Sequence, residues 1–261
     1  HQYSINLKIL HKLKEPLMEL QKVVGMEKVK TQIINQVIYF LQGFGENNNM
    51  LHTVIEGPPG VGKTMLGKIL AKIYYYMGII KKNPKKKNSE NSNILNKLIS
   101  LTGNKIDPDE NEKEEDNDKI TKDENNEVIF KVVRRSDLIG EYLGHTAVKT
   151  QKAIDECNGG VLFIDEAYAL GNEDKKDTYS KECIDTLNQN LSENKCNFIC
   201  IIAGYPDQLD KCFFSYNRGL ERRFPFKYTI DKYDAEQLTN IFIKQVNENG
   251  FRIEMEILHQ V

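Results

Sequence analysis

The stretch Gly57-Pro58-Pro59-Gly60-Val61-Gly62-Lys63-Thr64 fits the pattern GxxxxGK(S/T), and the residues on either side of it decide the fold. Residues 52–56 before it read as a short strand, and residues 63–77 after it repeat their apolar positions at helical spacing. A strand, a glycine-rich loop and a helix in that order form a phosphate cradle. Backbone N–H groups of the loop wrap phosphate oxygens, and the helix N-terminus adds the positive end of its dipole. Pro59, Gly60, Val61 and Gly62 are the candidate loop contacts, with Met65 beside them in the first helical turn. Lys63 is placed to reach the β- and γ-phosphates of a nucleotide, and the Thr64 hydroxyl to ligate Mg2+.

Beyond this unit the same alternation continues. Residues 128–133, 161–164, 198–203 and 226–230 read as strands, the middle two wholly apolar. Residues 146–157, 181–192 and 234–247 read as helices between or after them. Buried strands alternating with amphipathic helices predict an α/β fold, a parallel sheet covered on both faces. Upstream, Val29, Ile33, Ile34, Val37, Ile38 and Leu41 form one apolar face of a helix over 27–41, which should pack against that sheet. Residues 1–22 carry Leu7, Leu10, Leu13, Leu17 and Leu20 at roughly helical spacing, interrupted at Pro16, and read as a leading helix or linker.

Residues 81–127 break the pattern, with ten Lys, twelve Asp+Glu, many Asn and a single apolar cluster at 94–101. Such a segment cannot bury enough surface to offset the entropy of ordering, so it is expected to be a disordered, solvated insertion. Setting it aside leaves 26 basic and 26 acidic residues, a neutral body. Over all 261 residues the net charge is −2, which argues against a histone-like binder of nucleic acid. No apolar run approaches the ~20 residues of a membrane-spanning helix. The five cysteines form no CxxC pair, which points to reduced thiols and an intracellular, reducing compartment, the cytoplasm first, with an organelle or the nucleus left open. The chain opens on His1 and closes on residues that read as the interior of a helix, so it is expected to be a piece of a longer protein.

About a hundred residues after the loop, Val161-Leu162-Phe163-Ile164-Asp165-Glu166 places two carboxylates at the end of an apolar strand. Acids often follow buried strands as solvated caps. Beside a phosphate loop they have a further use, because Asp165 can hold the magnesium shell while Glu166 orients and deprotonates an attacking water.

Together the loop and this acidic strand resemble the AAA+ ATPases. Several further segments are similar to the group containing CbbX-type rubisco activases and stage V sporulation protein K. They are Val24-Gly25-Met26-Glu27-Lys28-Val29-Lys30, Asp137-Leu138-Ile139-Gly140-Glu141-Tyr142-Leu143-Gly144-His145-Thr146-Ala147, Gly159-Gly160, Glu166-Ala167-Tyr168 and Ala203-Gly204-Tyr205-Pro206. The resemblance runs from about residue 23 to the end, apart from the insertion. It implies a P-loop α/β nucleotide-binding domain over 23–230 and the truncated start of a helical lid over 231–261. It further implies a Mg2+-dependent ATPase assembled as a homohexamer or with related subunits, acting on a protein partner.

Residue roles follow from the same resemblance. Val24 and Gly25 are implied beside the adenine ring. The segment Asn217-Arg218-Gly219-Leu220-Glu221-Arg222-Arg223-Phe224 matches one in which an arginine reaches the γ-phosphate of the neighbouring subunit; Arg223 occupies that position, Arg222 is the alternative, and Glu221 stands where the group has a second arginine. Tyr142-Leu143-Gly144 resembles the aromatic loop that grips polypeptide in a central pore, although a tyrosine filling a strand-to-helix corner would look the same. AAA+ proteins usually end the strand after the acidic one with asparagine, whereas this chain has Ala203-Gly204-Tyr205, leaving the polar role to Tyr205 or another residue.

Three functions are compatible with these residues. A ring-forming ATPase that remodels a protein accounts for most of them. A DNA-processing motor would need a clustered basic surface, for which 81–87 is the sole candidate. An ATP-binding scaffold with little turnover would leave Glu166 without a purpose.

Overall fold

The computed structural model describes residues 7–42, 51–80, 120–122, 128–142, 144–174, 176–193, 197–217 and 219–251. Six strands, β1 (Thr53–Glu56), β2 (Ile120–Lys122), β3 (Ile129–Val133), β4 (Gly160–Ile164), β5 (Ile199–Gly204) and β6 (Phe226–Thr229), form one sheet in the order β2-β3-β4-β5-β1-β6. The five from β3 to β6 run parallel, and β2 adds an antiparallel edge. Every residue of β1, β4 and β5 is buried at the centre of a doubly covered sheet, where β4 and β5 are apolar runs and β1 carries buried Thr53 and Glu56 at its ends.

The period of two along the strands divides the core into two layers. Ile55, Val161, Phe163 and Ile201 face one way, into a cluster with α1 (Leu7–Gln21), α2 (Glu27–Leu41) and α3 (Lys63–Tyr76). Val54, Leu162, Ile164, Cys200 and Ile202 face the other, against α4 (His145–Asp155), α5 (Thr178–Glu193) and the short turns of 206–224. After β6 the chain enters α6 (Ala235–Glu248), started by a capping box in which Asp234 accepts from the Gln237 N–H and the Gln237 side chain returns the bond. None of its residues is buried.

Three details differ from what the sequence predicts. The leading helix runs unbroken through Pro16, which is buried with Leu13 and Leu20 on one stripe. A proline inside a helix costs ~3 kcal/mol, but each leucine fully buried against α3 returns roughly 1.5–3 kcal/mol. On α2, Val29, Ile33 and Val37 are buried as expected, whereas Ile34 and Ile38 remain half exposed on a flank that no described element covers. Within 81–127 no element is predicted, yet Ile120–Lys122 pair with β3. Residues 81–119 and 123–127, including the basic stretch 81–87, lie outside the described residues.

His52 fixes the foot of β1. Its Nδ1 accepts the Cys200 backbone N–H at 3.0 Å, and burial pulls the imidazole down to a pKa of about 4. The four described cysteines are free, and burial pushes the Cys157 thiol up to about 12, so it is inert. No described helix is long and apolar enough to cross a membrane.

Candidate active site

The loop between β1 and α3 turns on glycines: Gly60 and Gly62 sit at φ 77° and 88°, in the left-handed region. Lys63 opens α3 and folds back so that Nζ donates to the carbonyls of Gly57 at 2.9 Å and Pro58 at 2.7 Å. The same ammonium lies 5.6 Å from the centroid of the Tyr205 ring, within cation–π range. Partial burial lowers the Lys63 pKa, and the carboxylates of Asp165 and Glu166 oppose that shift.

Those carboxylates arrive at the end of β4. The Asp165 N–H donates to the Val133 carbonyl at 2.9 Å, which ties the strand end to β3, and the Asp165 side chain pairs with Arg134 at 3.3 Å. Glu166 is exposed and has left-handed backbone angles, φ 53° and ψ 46°. Such a conformation costs a non-glycine residue about 1–3 kcal/mol and persists where the surroundings impose it. Here the imposing element is the 3-10 turn Ala167–Leu170, whose Ala169 N–H closes onto the Glu166 carbonyl at 2.8 Å. Arg135 holds that turn from outside, donating to the Ala169 carbonyl at 2.9 Å while pairing with Asp177 at 2.6 Å.

The structure brings most of the predicted residues into one cavity of about 370 Å³. Pro59, Gly60, Gly62, Lys63, Thr64, Asp165 and Glu166 line it, together with Tyr168, Gly204 and Tyr205. Tyr168 was not singled out by the sequence as a site residue. Burial together with the Glu166 charge raises its pKa, so the phenol keeps its proton. Arg134 was also missed, because only the fold brings it to Asp165.

The other predicted residues lie around this cavity rather than in it. Val61 is buried, and its carbonyl accepts the Tyr233 hydroxyl at 2.8 Å. Gly25 is packed against Tyr233, just before α6, and Gln237 in its first turn, with Val24 half-buried beside it. Met65 is exposed, and its Cε lies close to Gly62. Tyr233 thus joins the Val24-Gly25 turn, the phosphate loop and the start of α6, a junction that no local pattern announces.

Arg223 sits elsewhere. Its Nε donates to Ser192 Oγ at 2.7 Å and its Nη1 to the Gly219 carbonyl at 2.6 Å. The following Phe224 packs on His52, at the foot of the strand whose other end carries the phosphate loop. Arg223 therefore does not serve the cavity of its own chain. Arg222, next to it, is exposed. Tyr142 does not fill the corner before α4: it is 64% exposed, with its ring edge-on to His145. Leu143, within the same predicted loop, lies outside the described residues.

Comparison with known proteins agrees with this geometry. The family described as ATPase family associated with various cellular activities (AAA) matches residues 53–228, from β1 into β6. The chain is 42% identical, over 97% of its length, to a cfxQ-like protein of Acanthamoeba polyphaga mimivirus, of which it covers 52%. It is 31% identical, over 94% of its length, to stage V sporulation protein K of Bacillus subtilis (strain 168), of which it covers 63%. The chain thus spans about half of the first relative and less than two-thirds of the second. Among solved structures, the FIGL-1 AAA domain in complex with ADP superposes with a TM-score of 0.53 at 17% identity, over 93% of this chain and 69% of that one, which shows a shared fold. A family match that spans most of the sheet, joined to relatives aligned over nearly the whole chain, means that this protein belongs to the AAA family of ATPases, in the group of CfxQ-like proteins and stage V sporulation protein K.

Proposed function

We propose that the chain hydrolyses ATP with Mg2+ and, as one subunit of a ring, uses the turnover to remodel a protein partner. The observation that carries this reading is the meeting of Lys63, Thr64, Asp165 and Glu166 in a single cavity, although the two pairs lie a hundred residues apart in sequence.

Each residue has a defined task. Loop N–H groups and the start of α3 bind the phosphates, and Lys63 exchanges its bonds to the Gly57 and Pro58 carbonyls for phosphate oxygens. Thr64 and Asp165, which line the same cavity, would hold Mg2+. A site with so few protein oxygens suits an ion that takes its remaining ligands from water and substrate phosphate. When bound, Mg2+ neutralises charge developing on the transferred phosphoryl group. Glu166 orients the attacking water and accepts its proton.

Two features support the larger assembly. The turn Glu221–Arg223 presents arginine away from its own cavity, so the transition-state charge it is suited to neutralise belongs to a neighbouring subunit. Because Arg223 is held by Ser192 and Gly219, exposed Arg222 is the guanidinium free to extend, and Arg223 fixes the turn. Exposed Tyr142 offers an aromatic grip on polypeptide that demands no particular sequence.

Phosphate release from ATP by wild type, Lys63→Ala and Glu166→Gln tests the reading. Lys63→Ala should abolish nucleotide binding. Glu166→Gln should bind ATP and turn over 10²- to 10⁴-fold more slowly. Wild-type turnover by Glu166→Gln would remove Glu166 from its assigned role.

A further inference from the structure

We infer that Arg135 is a positioning residue for Glu166: its guanidinium ties the 3-10 turn that follows Glu166 to the start of α5, and so keeps the carboxylate where an attacking water can give up its proton. This rests on the ATPase reading above.

Glu166 stands in a backbone conformation that it would not keep unaided. Its left-handed angles are imposed by the turn Ala167–Leu170, through the bond from the Ala169 N–H to the Glu166 carbonyl. A single turn is not stable by itself, so it must be gripped from outside. Its far end is wedged: a Cβ on Gly171 would lie 1.8 Å from the Cys212 carbonyl oxygen, and the Asn172 N–H donates to the Tyr216 hydroxyl at 3.2 Å. That N–H is the group that would pair with the Ala169 carbonyl if the turn continued. Arg135 Nη1 donates to the Ala169 carbonyl in its place, at 2.9 Å. Ala169 is therefore committed on both sides, to Glu166 by its N–H and to Arg135 by its carbonyl.

The guanidinium is itself fixed. Nη1 also donates to the buried Ser180 Oγ at 2.8 Å, and Nη2 donates to Asp177 Oδ2 at 2.6 Å. Asp177 is anchored in turn at the start of α5. Its Oδ1 accepts the N–H groups of Tyr179 at 3.0 Å and Ser180 at 3.3 Å, and its Oδ2 accepts the Ser180 hydroxyl at 2.6 Å. Burial favours the neutral acid, but the hydrogen bonds from Ser180 and Arg135 outweigh it and hold the Asp177 pKa at about 2, so the pair stays charged. Only a planar fork reaches a carbonyl, a hydroxyl and a carboxylate at once in this way. The residue before it, Arg134, pairs with Asp165, so two consecutive arginines after β3 grip the strand end that carries both carboxylates, one on each side of Glu166 in sequence.

An arginine that only stabilises the fold and one that positions Glu166 are separated by a double-mutant cycle in the full-length protein. Wild type, Arg135→Lys, Glu166→Gln and the double variant are compared by single-turnover hydrolysis, with KM for ATP, the affinity of a non-hydrolysable ATP analogue and the melting temperature measured alongside. Arg135→Lys keeps a positive charge beside Asp177 but loses the fork. It should bind the analogue within about twofold of wild type and keep KM within about threefold, while hydrolysis falls roughly 10- to 100-fold, the scale of the backbone strain that the turn maintains. In the Glu166→Gln background the same change should cost nothing more, because Arg135 acts through the carboxylate. Asp177→Asn, which keeps an oxygen to cap α5 but removes the charge that holds Arg135, should show the same split with a smaller fall, and carries the test if Arg135→Lys does not fold. Wild-type hydrolysis in the folded variants, a loss that lies in nucleotide binding instead, or an equal further fall on top of Glu166→Gln would overturn the inference and leave the ATPase reading standing. ATP binding without turnover in wild type would overturn both.

Discussion

Arg134 Nη2 lies 3.3 Å from Asp165 Oδ2, so the carboxylate proposed to hold magnesium is paired with the residue that follows β3 and opens the segment carrying Tyr142. The Arg134 backbone N–H donates to Asp137 at 2.8 Å, which anchors the first turn of that segment. One arginine thus connects Asp165 with the start of the exposed aromatic loop.

The pair is largely solvated on the arginine side, so its contribution to stability is small. Its effect should appear in metal binding, because the guanidinium and Mg2+ compete for the same oxygen. Arg134→Ala should melt within a degree or two of wild type and reach half-maximal turnover at several-fold lower Mg2+. An unchanged Mg2+ titration would show that Arg134 leaves Asp165 whenever nucleotide binds.

The arginine turn gives two variants with different signatures. Arg223→Ala removes the bonds to Ser192 and Gly219 and should cost about 1–2 kcal/mol of stability as well as turnover. Arg222→Ala should keep wild-type stability and lose turnover by up to 10³-fold or more, the scale of an arginine supplied by a neighbour. Urea unfolding read beside phosphate release separates them. Full turnover in Arg222→Ala would return the role to Arg223.

Tyr142→Ala should leave melting and basal ATP turnover nearly unchanged, since the ring is mostly in solvent, while abolishing work on the protein partner. Measured ATP turnover is the check available before that partner is identified. A large loss there would give the tyrosine a structural task.

His52 sets a pH dependence of stability. Its folded pKa of about 4 lies below the unfolded value of 6.5, so between those values the unfolded chain binds a proton that the folded chain does not. Stability from this site is full above pH 6.5 and declines as pH falls toward 4, by up to about 3 kcal/mol. His52→Asn, which keeps an acceptor for the Cys200 N–H, should flatten the melting temperature across that window. An unchanged slope would assign the dependence to other groups.

Much of this was legible in the sequence because it is local. The phosphate loop, the acidic end of β4, the apolar runs of β4 and β5 and the short strand β1 each depend on residues close in the chain, and their order dictates a parallel sheet. What escaped depends on contacts between distant segments. Pro16 stays within α1 because burial against α3 outweighs a lost backbone bond. Ile34 and Ile38 share the helical spacing of Ile33 and Val37, and only the placement of α2 on the sheet decides which of them is covered. Tyr168 was visible as a letter in the Glu166-Ala167-Tyr168 segment, but its fit to Gly204 required β4 and β5 to lie side by side. The same holds for Arg223, whose tie to Ser192 spans 31 residues.

The central claim, that this cavity hydrolyses ATP with help from a neighbouring subunit, is tested most directly by ATP turnover measured against protein concentration in the full-length protein. The account predicts a specific activity that rises steeply as subunits assemble and disappears in Lys63→Ala at every concentration. Tight ATP binding without turnover, or turnover per subunit that does not change with concentration, would contradict it.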